Sequence, residues 1–508
     1  MDPGRPAADA LGVWQGRVVG LDEEIRDLPA RRVLDLAGAT VLPGFVDPHV
    51  HLAWSGLKSR TADVSPSRSA GEILAVVRRA AEAATGAWVD VVGYDQRPLG
   101  RHLTAAELDA AGGGRRVIVT HDSGHSCVVS SAVLALLPDG VAHSDGVLVE
   151  SGMAAVRALR MPYRTAELRT AIARAAAVCV SEGVTSCAEA GIGAGLIAHS
   201  PVEAEPYQQL LAAGELPLRV QLMVAAAALR PVAGAPDDGP LHAVDLGLRT
   251  GFGGERLGLG ALKVFADGGM MARTAALTEP YEGLDHGGQL YADEADPVRT
   301  VVDGHLAGWQ LAIHAIGDRA VDVALDALAE AHRARPRPAA RHRIEHAGLV
   351  RPDQLPRFRE LAVTAVVQPS FLWYFGDDYA RLMGPGRAPW LYRGQSFLDH
   401  GVALAASSDR PVTPGAPLRA VGFLARRLSA SGRPVGPDEA MTVDNALRAY
   451  TVGGARACGW EDRVGTLAPG RCADWVVLPA DPAELSLDAV GELPVRETWV
   501  AGEPVHES

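Results

Sequence analysis

The chain has 508 residues, 48% of them hydrophobic and 21% charged, with a formal net charge of −13. That length predicts a large domain plus a satellite rather than one core, and the acidic balance argues against nucleic acid as the main partner. Five scattered cysteines (Cys127, Cys179, Cys187, Cys458, Cys472) with no CxxC argue against a disulfide framework and for a reducing compartment.

The N-terminal stretch MDPGRPAADALG has neither the basic start nor the apolar core of a signal peptide. No apolar run reaches the roughly 18 residues of a membrane span, so a cytoplasmic location is expected. Next comes VWQGRVVGLDEEI, which reads as a hairpin with a Gly turn. Short β-rich runs then alternate with Ala/Leu/Arg-rich helical stretches. The strand candidates are 40–45, 184–188, 218–224, 259–265, 310–314, 342–346, 364–368 and 403–407. Helices are predicted at 165–182, 318–334 and 352–361. Eight strands separated by helices predict a closed parallel barrel, an α/β fold of the (β/α)₈ TIM-like type. More than a hundred residues separate the first two strands, far more than one βα unit needs. Residues 60–160 are therefore read as an insertion over the barrel mouth, with strands of its own at 89–93 and 116–120. Beyond Gly465, GTLAPGRCADWVVLPAD and RETWVAGEPV read as further β hairpins. The predicted organisation is a small β-sandwich domain built from 1–43 and 455–508, and a barrel over 44–454.

The chemistry is expected at strand ends, where barrels gather their functional groups. His49 and His51 are two apart at the end of the first strand, so both imidazoles point to one side and can share a metal. With 16 histidines in the chain, chance alone produces such a pair about half the time. The weight therefore falls on the later strands. Lys263 lies in the apolar run Leu-Lys-Val-Phe, where a bare ammonium is costly to bury; it is either a snorkelling or ion-paired lysine, or a functional one. His314, His346 and Asp409 each stand where an apolar strand stops. Six polar groups on strands one, four, five, six and eight form a candidate metal site. Nitrogen and oxygen donors without thiolate suit Zn²⁺, with Mn²⁺, Ni²⁺ and Fe²⁺ open. Asp409 is the natural proton carrier for a water attacking an amide-type bond. Weaker candidates for substrate contact are His125, Glu189, Trp373 and Arg410. Each also has a bland reading, as a loop histidine, an Arg partner, a packing aromatic or an ion pair.

Seven stretches carry a resemblance: LPGFVDPHVHL, ALKVFADGGMMARTAAL, LAIHAIGDRAV, HRIEHAGLV, VVQPSFLW, ASSDRPVTPGAPL and VGTLAPGRCADWVVL. In this order they resemble the amidohydrolase superfamily, and within it the family-3 amidohydrolases that include N-substituted formamide deformylases. THDSGHSCVVSSAVL, in the insertion, fits as well. The resemblance implies one or two divalent metals, His49 and His51 holding one with Asp409, and His314 and His346 the other. It also implies that CO₂ carboxylates Lys263 to a carbamate bridging the two. The chain departs from relatives at Arg410, where a small residue is common, and at Pro48. The expected function is hydrolysis of a carbon–nitrogen bond in a small molecule, an N-substituted formamide or N-acyl amine, with a homodimer allowed. The competing readings are a cyclic-amide hydrolase, a mononuclear ring deaminase and a catalytically dead relative. Lys263 weighs against the deaminase, which needs no carbamate bridge, and the full set of polar groups against the last.

Overall fold

The computed structural model describes residues 4–5, 7–59, 61–84, 86–121, 126–149, 151–232, 235, 241–291 and 297–508. By packing it divides into two compact units, one of residues 1–53 with 169–508 and one of Trp54–Leu168.

The larger unit is built on eight strands: β1 (Phe45–Val50), β2 (Val184–Ile192), β3 (Arg219–Ala225), β4 (Leu257–Phe265), β5 (Leu311–Ala315), β6 (Arg343–His346), β7 (Thr364–Val367) and β8 (Leu404–Ala406). They pair in chain order, and every pair is parallel. Most are buried along their whole length because both faces are covered, as parallel sheets require. Helices lie between them: α1 (Thr165–Ser181), α2 (Ala204–Ala212), α3 (Pro297–Leu306), α4 (Asp318–Ala334), α5 (Leu355–Glu360), α6 (Pro369–Arg387) and, after β8, α7 (Pro417–Arg426). α4 shows why they form. Its buried Val321, Ala324, Leu325, Leu328 and Ala331 recur at helical spacing, with Asp318 in the first turn and His332 and Arg333 in the last.

Closure comes just past β8. Asp409 N–H donates to the His49 carbonyl and His51 N–H to the Arg410 carbonyl, each at 2.9 Å, so the segment after β8 runs alongside β1. The fold is a (β/α)₈ TIM-like barrel. Its floor is filled by the short helix Gly454–Ala457 with Cys458 and Trp460, packed on Val46, Ala188, Met223, Ala261 and Ala312. The last carbonyls of that helix lack partners within it, and barrel side chains supply them. Gln310 Nε2 and Arg343 Nη1 donate to Ala457 O at 2.8 and 3.1 Å, and Gln221 Nε2 to Cys458 O at 2.8 Å. The expected domain boundary at 455 thus falls inside the barrel floor; the C-terminal strands begin at Trp475.

The expected strand over 40–45 is two elements. Thr40–Pro43 pairs with Trp475–Leu478, while β1 starts at Phe45. Gly44 separates them where a Cβ would come within 2.2 Å of the Thr185 side chain, so the chain crosses from one sheet to the other where only glycine fits. Thr40–Pro43 forms the edge of an antiparallel four-stranded sheet with Trp475–Leu478, Glu497–Val500 and Glu503–Glu507. The hairpin Leu11–Trp14/Arg17–Leu21 turns at Gln15 and Gly16, both at positive φ (49° and 74°), as a tight two-residue hairpin requires. Its Val18 and Leu21 pack with Trp475, Val477 and Trp499, the two indoles stacked at 5.0 Å. Arg219 at the start of β3 forks onto buried Asp474 at 2.7 and 3.0 Å, joining the small sheet to the barrel. A chain ending near Tyr450 loses three of the four strands and the barrel floor. We expect it to be insoluble on expression; a soluble and active truncation would show that the two ends fold independently.

The second unit has its own five-stranded sheet: Ala62–Asp63, Trp88–Tyr94, Arg116–His121, Ser126–Val129 and Val147–Val149. Its first three strands are parallel and the rest antiparallel. Val77, Val91, Leu108, Val119 and Val128 fill its core. Ser69 and Thr104 cap the helices Ala70–Ala83 and Ala105–Gly112. The unit exceeds the expected 60–160 at both ends. No helix among the described residues is long and apolar enough to cross a membrane.

Candidate active site

Four imidazoles line up where the barrel strands end. Ring centroids are 5.5 Å apart for His51 and His49, 5.0 Å for His49 and His346, and 4.4 Å for His346 and His314. His49 is in β1, His51 one residue past it, His314 in β5 and His346 the last residue of β6. Strand alternation puts Arg343 and Glu345 on one side of β6 and His346 on the other. A left-handed turn at His346 (φ 71°) and Ala347 (φ 41°) redirects the backbone there. Asp409, also left-handed at φ 51°, is held in place by its backbone bond to His49. Non-glycine residues in this region are uncommon and gather at functional sites.

Asp409 Oδ1 lies 3.1 Å from His51 Nε2 and 3.5 Å from His49 Nε2. Yet this buried oxygen has no hydrogen-bond partner among the described residues. One nitrogen from His49, one from His346 and a carboxylate oxygen of Asp409 all lie within 4.8 Å of one another. Burial, and then the charge of Lys263 or of neighbouring histidines, push His49, His314 and His346 well below the ordinary imidazole range, His314 to about 3. Neutral imidazoles facing a buried carboxylate oxygen that lacks a donor fit a divalent cation.

Lys263 is in β4, 2% exposed. Its amine makes no ion pair with a carboxylate among the described residues and sits 5.0 Å from the Phe265 ring centre. Burial lowers its pKa to about 8, against the opposing pull of Glu345 and Asp409. The structure thus brings His49, His51, His314, His346 and Asp409 into one cluster, with Lys263 electrostatically coupled to it.

The other candidates fare differently. Glu189, in β2, accepts from Leu52 N–H at 2.8 Å and from Tyr207 Oη, and lies 3.8 Å from His51 Nδ1. It caps the helix that starts just after His51. Burial, with Glu203 nearby, raises it to about 8. Arg410 is buried and pairs with half-buried Glu182, as its ion-pair reading expects. Trp373 is in α6 and stacks on Phe423 at 5.0 Å, with the Arg426 guanidinium 5.6 Å from its ring centre. It packs against α7, and the aromatic rings beside the cluster are Phe265, 4.8 Å from the His314 ring, and Phe371, near-parallel to His346 at 6.4 Å. His125 lies outside the described residues.

Sequence reasoning missed the groups behind the histidines. Glu345 Oε2 contacts His49 Nδ1, and Gln368 Oε1 meets His346 Nδ1 at 2.8 Å. His314 Nε2 reaches the Gly268 carbonyl at 3.2 Å. Asp267 collects the N–H groups of Ala276, Ile316 and Gly317 at 2.8–3.0 Å, tying the loop after β4 to the end of β5. The signal for Glu345 was present: an acid two residues from Arg343 in a buried strand shares its face.

Comparison with known proteins agrees with this geometry. A family model described as the amidohydrolase family matches residues 32–506. An N-substituted formamide deformylase of Arthrobacter pascens is 28% identical, over 99% of this chain and 95% of that protein. The protein LONG AFTER FAR-RED 3 of Arabidopsis thaliana is 27% identical, over 99% and 89%. The crystal structure of a metal-dependent hydrolase from Pyrococcus horikoshii OT3 superposes with a TM-score of 0.80 at 28% identity, covering 94% of this chain and 95% of that one. With a family model that spans nearly its full length, the chain belongs to the amidohydrolase family, hydrolases of carbon–nitrogen bonds.

Proposed function

We propose that the chain hydrolyses a linear amide of a small molecule, an N-substituted formamide or small N-acyl amine, with a divalent metal, Zn²⁺ first, and Asp409 as proton carrier. The observation that carries this reading is the arc of four imidazoles with Asp409 beside it, whose buried Oδ1 has no hydrogen-bond partner among the described residues. The likeness to a formamide deformylase over 99% of the chain supports the substrate class, and the Pyrococcus hydrolase supports the metal. His49 and His51 would hold one cation with Asp409, and His314 and His346 a second. A bound cation supplies a Lewis acid and lowers the pKa of a coordinated water. The residues do the rest. Asp409 takes a proton from the attacking water and hands it to the leaving amine. Glu189 and the first turn it caps hold His51 in place. Phe371 shields the cluster from bulk water on the α6 side. Lys263 supports a carbamate: burial favours its neutral amine, whose nitrogen can attack CO₂ and lose a proton, turning a costly buried cation into an anion beside the metals.

A hydrolysis screen of N-formyl, N-acyl and cyclic amides with Zn²⁺-loaded protein, read by amine release, tests the reading. Linear amides should release amine. Turnover of cyclic amides alone would transfer the site to ring opening, and no release from any linear amide would overturn the proposal.

A further inference from the structure

The barrel interior holds a charge pair that the proposed mechanism does not use. Arg343 and Glu345 are each fully buried, at 0% exposure. Arg343 forks onto Glu345 through Nε and Nη2, the latter 3.0 Å from Oε2. Its remaining donors go to the Ala457 carbonyl of the floor helix, at 3.1 Å, and to the Pro48 carbonyl next to His49. The guanidinium is thus anchored at three places and fixes the carboxylate in turn. Glu345 Oε2 then meets His49 Nδ1.

We propose that Glu345, clamped by Arg343, is a positioning residue for His49: it fixes the Nδ1–H tautomer, turns Nε2 toward Asp409, and strengthens the hold of His49 on the cation. The proposal rests on the metal reading above. An ionised carboxylate can only accept, so the shared proton sits on His49 Nδ1 and leaves the Nε2 lone pair free, 3.5 Å from Asp409 Oδ1. The Arg343 guanidinium meets both Glu345 oxygens, so the carboxylate has a fixed cationic partner. The contrast with the other end of the arc is chemical. His346 is backed by the neutral amide of Gln368, itself donating to Ser407 Oγ at 2.9 Å, and His314 by the Gly268 carbonyl at 3.2 Å, with the Asp267 carboxylate farther off at 3.6 Å and occupied by backbone N–H groups. A carboxylate behind a ligating imidazole orients the ring and raises its basicity, and loss of such a partner typically weakens metal binding about 10–100-fold. His49 is therefore the best-prepared donor of these three.

The test is equilibrium dialysis of metal-free protein against Zn²⁺ alone, with wild type, Glu345→Gln, Arg343→Met/Glu345→Gln and His49→Ala. The double variant is included because the single one leaves a buried guanidinium uncompensated; if Glu345→Gln does not fold, the double variant decides. Zn²⁺ affinity is expected to fall about 10–100-fold in the Glu345 variants. In the metal-free state, ¹⁵N shifts of the His49 ring should change from a single Nδ1–H tautomer to a mixture. Unchanged affinity and tautomer in the double variant, with His49→Ala still losing Zn²⁺, would overturn the role of Glu345 and leave the metal reading intact. Full affinity in His49→Ala would overturn both.

Discussion

Asp409→Asn is expected to lose kcat by about 10²–10⁴-fold, the usual contribution of a general acid–base group, while keeping much of its metal. The substitution preserves the size of the side chain and one oxygen near His51 and His49. The bond from the Asp409 N–H to the His49 carbonyl is made by the backbone, so the closure of the barrel survives. What disappears is the ability to take a proton from water. Metal content per chain and kcat, measured on one preparation, separate the two roles that Asp409 combines. Near-normal kcat with metal bound would mean that water is deprotonated elsewhere, with Glu189 and His125 next in line.

Lys263→Ala is expected to lose most bound metal and with it nearly all activity. Bicarbonate with a short-chain carboxylic acid such as propionate should restore part of both, because the acid can place two oxygens in the space the side chain vacates. The apoprotein should unfold no earlier than wild type, since a buried amine with no ion pair among the described residues contributes cost rather than stability. Thermal unfolding without metal checks that point, and metal analysis the first. Full metal content with normal turnover in Lys263→Ala would refute the carbamate.

Much of the site could be read from the sequence because barrel chemistry is local in sequence even when it is distant in space. His314 follows an apolar run, and His49 and His346 stand near the ends of short β-rich runs; such placement is visible without any knowledge of neighbours. The groups behind them were harder to see. Gln368 reaches His346 across a strand boundary, and Glu345, though paired with nearby Arg343, serves a histidine 296 positions away, so neighbouring residues do not reveal which imidazole either one meets. Trp373 shows the opposite failure. Its place just after a strand suggested the mouth, but helical rotation carries Trp373 to α7 and leaves Phe371, two residues earlier, beside His346. The split at Gly44 was hidden because Thr40–Pro43 and β1 are both apolar extended runs, and only the approach to Thr185 requires a break. The floor helix escaped for a similar reason: four residues are too few for a periodic pattern, and its C-terminal carbonyls are satisfied by side chains from β3, β6 and Gln310.

The edge pairing of Thr40–Pro43 with Trp475–Leu478 also sets a timetable for biogenesis. The two strands are more than 400 positions apart, and ribosomes add about 5–20 residues per second. Once the first strand has left the exit tunnel, it waits roughly 20–90 s for its partner, with an unpaired edge of backbone donors and acceptors exposed throughout. A nascent chain of this design is therefore most prone to aggregate at its N-terminal end and late in synthesis, and slowing translation anywhere within the barrel lengthens that window.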